Sequence, residues 1–214
     1  MKKIFIRSPF ILFFMGAVFF TIETRASELQ DSIPLGWRKS LSSSADVVIG
    51  TDTTVKHGGK TCAFLQRIPN PSYSAGSLLQ SIIADPYRNK RVRMSVYVKS
   101  KDVETGFLYM RVDGPDTSLT FANNKIRPIE ETTDWILYQI TLDVPEEGVN
   151  IDFGAALMGQ GTLWVDDYSL EIVDRSVPSD DMAAKGTLQR TGIKNPKRIY
   201  QPNAKAMNLG FEDH

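Results

Sequence analysis

The chain has 214 residues, 25 Lys and Arg against 25 Asp and Glu, 42% hydrophobic residues, one Cys and two His. That length suits one domain with at most an appendage, and the balanced charge offers nothing to attract nucleic acid or an anionic membrane. One cysteine cannot close an internal disulfide, and two histidines, one of them the terminal His214, leave little material for a zinc site or a histidine-based triad.

At the N-terminus, Lys2, Lys3 and Arg7 precede an apolar run from Phe10 to Phe20 and the small-residue site Thr24-Arg25-Ala26, the pattern of a cleavable secretory signal over residues 1–26. The run is short for a bilayer span, and Cys62 lies too far along to be a lipoprotein's first residue. The expected mature chain starts at Ser27, is secreted or periplasmic, and keeps no integral membrane span. Loss of Lys2, Lys3, Arg7, Arg25 and Glu23 leaves it about 3 negative.

From there to residue 173 short β-branched and aromatic runs recur between Gly, Pro, Asp and Asn, with no stretch of helical period. Strands are expected at 45–50, 60–67, 77–83, 91–99, 106–112, 136–144, 150–157 and 163–173, enough for an all-β antiparallel two-sheet sandwich or barrel. In 91–99, Val92, Met94, Val96 and Val98 alternate with Arg91, Arg93, Ser95, Tyr97 and Lys99, so one face is core and the other wet. In 106–112, Leu108, Met110 and Val112 alternate with Phe107, Tyr109 and Arg111. Asp113-Gly114-Pro115-Asp116 carries turn chemistry, and the loop that follows brings Phe121, Asn123, Asn124 and Arg127. Residues 174–207 are polar and basic and read as a solvated linker. The end, Asn208-Leu209-Gly210-Phe211-Glu212-Asp213-His214, is again strand-like.

Six segments stand in order over residues 34–173: Pro34-Leu35-Gly36-Trp37, His57-Gly58-Gly59-Lys60, Tyr87 to Arg93, Thr132-Thr133-Asp134-Trp135, Asp143-Val144-Pro145, and Gly161 to Leu170 with its Trp164-Val165-Asp166-Asp167 run. Together they resemble carbohydrate-binding modules of the family 4/9/22 type, galactose-binding-like jelly rolls. The wording from Tyr87 onward is similar to a subset of secreted bacterial jelly-roll proteins that are uncharacterised or attached to regulators and hydrolases. The resemblance implies a jelly-roll sandwich over residues 27–173. It also implies a permutation, because such modules open with Asn-x-x-Phe-Glu shortly before Pro-x-Gly-Trp, and here that opening stands at residues 208–214. The C-terminal strand is therefore expected to return to the sandwich beside Trp37, or to exchange into a second subunit as a homodimer.

The resemblance further implies a structural calcium, matched here by Lys60 through its carbonyl, by Asp166 or Asp167, and by Glu212; calcium takes oxygen ligands of this kind. Trp37, Trp135 and Trp164 are expected in the core. The ligand-binding expectation falls on Arg93, Tyr97, Phe107, Tyr109 and Arg111 on one wet face, with Arg127 reaching in from the loop. Aromatic rings would stack on sugars and guanidinium groups would donate to hydroxyls or carboxylates of an oligo- or polysaccharide, and three arginines favour an acidic glycan. No catalytic residue is expected. Glu130-Glu131, Glu146-Glu147 and Asp166-Asp167 are adjacent acids rather than the opposed pair a glycosidase needs, and His57 sits in a turn. The alternative reading is an extracytoplasmic structural, sensor or protein-interaction module on the same fold.

Overall fold

The structure, a computed structural model, describes residues 32–41, 46–68, 75–124, 127–182 and 201–213. The expected signal peptide and the middle of the expected linker lie outside the described residues. Among the described residues nine strands follow in order: β1 (Arg38–Leu41), β2 (Val47–Asp52), β3 (Cys62–Arg67), β4 (Ala75–Ile83), β5 (Lys90–Asp113), β6 (Ser118–Asn123), β7 (Ile129–Val144), β8 (Asn150–Met158) and β9 (Thr162–Val173). Every pairing between them is antiparallel, and the fold is the expected jelly-roll sandwich.

The two strands expected at 91–99 and 106–112 are one 24-residue strand, β5. Its N-terminal half pairs with β7 and β9, its C-terminal half with β6 and β8, and its register slips three times between Val98 and Gly106. Such slips bend a strand and add twist, so β5 leaves one sheet and enters the other. The first sheet runs β6-β5-β8-β4-β1 and the second β7-β5-β9-β3-β2. Between them, Leu108, Met110, Phe153 and Ile82 of the first sheet and Val96, Ile49, Leu65 and Ile140 of the second make one dry core.

The even-numbered residues of β5 face this core in both halves. Its odd-numbered residues therefore point to opposite outer surfaces, because the sheets flank the core from two sides. The single wet face expected from Arg93 to Arg111 is thus two faces: Arg93 and Tyr97 lie outside the second sheet, and Phe107, Tyr109 and Arg111 outside the first.

β1 and β6 were not expected. Ser118–Asn123 turns only Thr120 and Ala122 inward, side chains too small or too polar to mark a core strand, and Arg38–Leu41 is a short sheet edge. In β9 the register slips against β5 at Ser95/Tyr97, and Asp167 sits at φ 50°. This bulge shifts the inward phase from Leu163 and Val165 to Tyr168.

Segments expected to be linker are docked where they are described. Asp180 N donates to Thr141 O on β7 at 2.7 Å, and Met182 N to Phe121 O on β6 at 2.9 Å, so the chain closes the side where the two sheets end. Residues 201–213 close the opposite side. Asn203 bridges the edge of β4 through Asn203 N to Ser81 O and Ile83 N to Asn203 O, and Gln80 exchanges two hydrogen bonds with the Met207 backbone. The final segment returns beside Trp37 as expected, yet as a turn rather than a strand. Asn208 and Phe211 both adopt positive φ, which aims the Phe211 ring inward against Trp37 and Tyr168, with centroids at 4.9 and 6.0 Å.

Outside the second sheet, Arg91 holds Asp143 by two bonds of 2.9 and 2.7 Å. Those hydrogen bonds depress the Asp143 carboxyl below its ordinary value, more than partial burial raises it. The stability this gives is full above the unfolded carboxylate's value near 3.9 and is lost as pH falls through the lower folded value. Asp143→Asn is expected to lower stability by about 0.5–1 kcal/mol at pH 7, as a half-exposed pair should. The difference should shrink progressively as pH falls below about 4, measured by urea midpoints over a series of pH values.

Candidate functional site

Register builds a grid of side chains on the outer face of the first sheet. One row runs Asn123 (β6), Tyr109 (β5), Gly154 (β8), Leu79 (β4) and Arg38 (β1). The next runs Phe121, Arg111, Asp152 and Ser81, and Phe107, Ala156 and Ser77 form a third. Gly154 keeps the middle of the first row shallow. A Cβ there would come within 2.1 Å of the Leu78 carbonyl oxygen, so no other residue fits between Tyr109 and Leu79.

Arg111 is the centre of the polar part. Its guanidinium ion-pairs with Asp113 at 2.9 Å and with Asp152 at 2.8 Å, both carboxylates being only 2% exposed. Burial works against the charge on Arg111, but Asp113 and Asp152 outweigh it and hold the guanidinium above its ordinary pKa. Asn150, fully buried, donates to Asp152 at 2.8 Å and fixes that carboxylate. Beside this cluster the Tyr109 hydroxyl meets Ser77, and burial, then the nearby Asp152 charge, push its pKa up. Phe107 packs on Tyr109 with centroids 6.5 Å apart.

The structure brings together Phe107, Tyr109 and Arg111 and separates the other expected ligand residues from them. Arg93 pairs with Glu171 at 2.8 Å on the far surface. Tyr97 lies there too, its ring covered by the His57 imidazole at 3.6 Å and 14°. Arg127 stacks over Tyr138 at 4.9 Å, at a cleft of about 390 Å³ shared with Asn123 and Asn124. The three arginines thus already have partners: carboxylates for Arg93 and Arg111, and an aromatic ring for Arg127. That removes the premise for an acidic glycan.

Asp113, Asp152 and Arg38 complete the face and escaped the sequence reading. A trace of Asp152 was there: Asn150 and Asp152 alternate with Ile151 and Phe153, which makes a carboxylate on the outward side of a buried strand. Arg38 left no such trace, since only sheet pairing brings β1 to this face.

The residues named for calcium converge on the turn 57–60. Asp166 accepts from His57 N and Gly58 N at 2.9 and 3.1 Å, Asp167 meets His57 Nδ1 at 2.7 Å, and Glu212 accepts from Lys60 N at 2.8 Å. Gly59 at φ 52° passes so close to Glu212 that a Cβ would lie 2.0 Å from its Oε1. Among the described residues no three Asp, Glu, His or Cys side chains are placed to hold a metal. Asp166 and Glu212 serve backbone N–H groups and Asp167 the His57 ring, so a calcium here would depend on backbone carbonyls for its remaining ligands.

Of the three tryptophans only Trp37, 5% exposed, is in the core. Trp135 and Trp164 are partly exposed on the outside of the second sheet. That corrects their expected place.

No family model matches the chain. An uncharacterized HTH-type transcriptional regulator of Bacillus subtilis (strain 168), YbfP, is 38% identical over 156 residues, covering 72% of this chain and 53% of the regulator. The chain thus spans about half the length of that curated relative. Among solved structures, the enzymatically active domain of bacteriophage CBA120 tailspike protein 4 superposes with TM-score 0.54 at 14% identity, over 65% of this chain and 20% of that one, and shares the fold. The CBM22-1 xylan-binding domain of Paenibacillus barcinonensis Xyn10C matches with TM-score 0.46 at 13% identity, over 68% of this chain and 91% of that one. TmCBM61 in complex with β-1,4-galactotriose matches with TM-score 0.45 at 15% identity, over 64% and 88%.

Proposed function

We propose that the chain is a non-catalytic carbohydrate-binding module that takes a sugar chain across the outer face of the first sheet. Phe107 and Tyr109 would stack on ring faces, while Arg111 and Arg38 would donate to hydroxyls and Asn123 would border the site. The observation that supports this most is the Arg111 cluster. Placing two carboxylates and a guanidinium against a sheet face costs desolvation that an apolar face would avoid. Convergent polar groups among aromatics are what a ligand site needs. Carboxylates take Nε and Nη2 of Arg111, leaving its Nη1 edge as the donor a hydroxyl would use. Both acids are tied to one guanidinium rather than opposed across a sugar, which supports binding without catalysis. Residues 1–26 would send the protein out of the cytoplasm.

Affinity electrophoresis of residues 27–214 through gels of xylan, galactan and β-glucan tests the reading, run with calcium and again with EDTA. Retardation is expected in one polysaccharide class, weakened at least tenfold by Tyr109→Ala while the melting temperature stays within a few degrees. Equal migration in every gel, from protein shown to be folded, would sink it. If calcium binds at the turn 57–60, EDTA lowers the melting temperature, whether or not it alters retardation.

The match to a bacterial regulator favours a second reading, a sensor or protein-interaction module. A helix-turn-helix needs α-helices, and the described residues hold only a 3-10 turn at Asp85–Tyr87. The share of that relative relevant here would therefore be the sandwich. Folded protein that ignores every polysaccharide but captures a defined protein partner would move the assignment to it.

A further inference from the structure

The second sheet carries its own aromatic surface, 

opposite the site just described. Lys99 of β5 is directly paired with Trp164 of β9. On its other side is β7, where Ile136 pairs with Val98 and packs toward the core, so the preceding Trp135 points outward. Trp135, Lys99 and Trp164 thus stand in a row across three neighbouring strands. The backbone positions of the two tryptophans are about two strand spacings, roughly 9–10 Å, apart.

Both rings are fixed from below. Trp164 Nε1 donates to Asp52 at 3.0 Å, and Trp135 packs edge-on against His57, 5.6 Å between centroids, where His57 itself stacks on Tyr97. Between them Lys99 pairs with Asp134 at 2.7 Å. A cleft of about 560 Å³ opens at this place, lined by Trp164, the Lys99–Asp134 pair, Ser100 and Thr133. Its wall charges, Lys99 and Lys101 against Asp102 and Asp134, balance.

We propose that this surface is a second saccharide-binding face, on which Trp164 and Trp135 stack on two rings of one uncharged sugar chain and the Lys99–Asp134 pair between them offers a donor and an acceptor. Rigid, partly exposed indoles present large apolar area at small entropic cost. The hydroxyl-bearing, charge-balanced wall suits a neutral polyol rather than an anion or a cation. This inference shares the ligand class of the reading above and none of its residues.

The two faces differ in a way that fluorescence reads. The first sheet's face holds Phe107, Tyr109 and Phe121 but no tryptophan, whereas the second holds the two partly exposed ones. The experiment titrates the protein with xylohexaose and β-1,4-galactotriose, and with soluble xylan and galactan. Tryptophan emission and acrylamide quenching are followed, with gel retardation as an independent measure of binding. Saccharide is expected to shift emission to the blue and to reduce quenching at least twofold. Trp164→Ala should weaken the binding seen by fluorescence at least tenfold, and Trp164→Phe, which keeps a stacking ring, should weaken it only a few fold. Loss of gel retardation in Trp164→Ala with no effect of Tyr109→Ala would keep this face and remove the first site. Retardation abolished by Tyr109→Ala with unchanged tryptophan emission would overturn the second face and leave the first standing. Neither retardation nor an emission change with any of these saccharides would overturn both.

Discussion

Replacing Phe211 by alanine is expected to cost about 3–5 kcal/mol of folding free energy, the usual range for removing a buried aromatic ring. Phe211 is fully buried, three residues before the last of the sequence, and packs in a cluster where Trp37 also meets Tyr168 at 5.0 Å and Phe153 at 5.7 Å. Its backbone is held as firmly. Thr61 Oγ1 donates to Phe211 O at 2.5 Å, Tyr168 N donates to Leu209 O at 3.0 Å, and Trp37 Nε1 donates to Asn208 O at 3.0 Å. A residue other than glycine at φ 59° carries strain, which the packing of the ring offsets. The check is a urea titration, with a lower midpoint at an unchanged slope. Deleting residues 201–214 should cost at least as much, and a synthetic peptide of those residues should recover part of it. If the tail docks in its own domain, the full chain and the deletion both sediment as monomers. A homodimer that becomes monomeric on deletion would show exchange between chains instead. An unchanged midpoint in Phe211→Ala would refute the docking itself.

Arg111→Leu is expected to cost about 3 kcal/mol, at the lower end for breaking a buried ion pair, because Arg111 is itself 37% exposed. The loss arises from what stays behind: Asp113 and Asp152, both buried, would lose the guanidinium that pairs with both. Neutralising them should therefore repair much of the damage. The triple variant Arg111→Leu, Asp113→Asn, Asp152→Asn is expected to regain more than half of the lost stability, since a buried ionic cluster contributes little net stability over neutral groups of similar shape. Sugar retardation should stay absent in both variants, which separates a binding role from a structural one. Equal instability of the single and triple variants would show that packing of the Arg111 stem, rather than charge, accounts for the cost.

The strand pattern of β5 shows where sequence reading stopped. Alternation identified the inward residues correctly in both halves, from Val92 to Val98 and from Leu108 to Val112. It could not report that the charged stretch between them stays extended and bends. Lys101, Asp102 and Glu104 fall between the two expected strands, yet Lys101 pairs with β9 and Ser100 and Val103 keep pairing with β7 through slipped registers, because a strand at a sandwich corner faces water on the outside. Once the strand changes sheet, Tyr97 and Tyr109 part company although both occupy odd positions. The tail shows the reverse. Its likeness to an opening strand foretold the return to Trp37, and the contacts of Phe211 with Trp37 and Glu212 with Lys60 follow that order. Its turn conformation is set by positive φ at Asn208 and Phe211; asparagine tolerates that region, whereas nothing in the residue type of Phe211 signals it.

By itself the sequence determined the all-β class, most of the strands and which side of each half of β5 is dry, because these depend on local alternation and turn chemistry, while the return of the chain's end followed from the resemblance of its last residues to an opening strand. Only the tertiary structure decided which wet residues share a surface. It joined Tyr109 and Arg111 to Asp152 and Arg38 from strands far apart in sequence. It matched Arg93 and Arg111 with carboxylates, and it set Trp135 and Trp164 on an outer face instead of in the core. Those outcomes depend on the bend in β5 and the bulge in β9, where a slip of one residue reverses inside and outside.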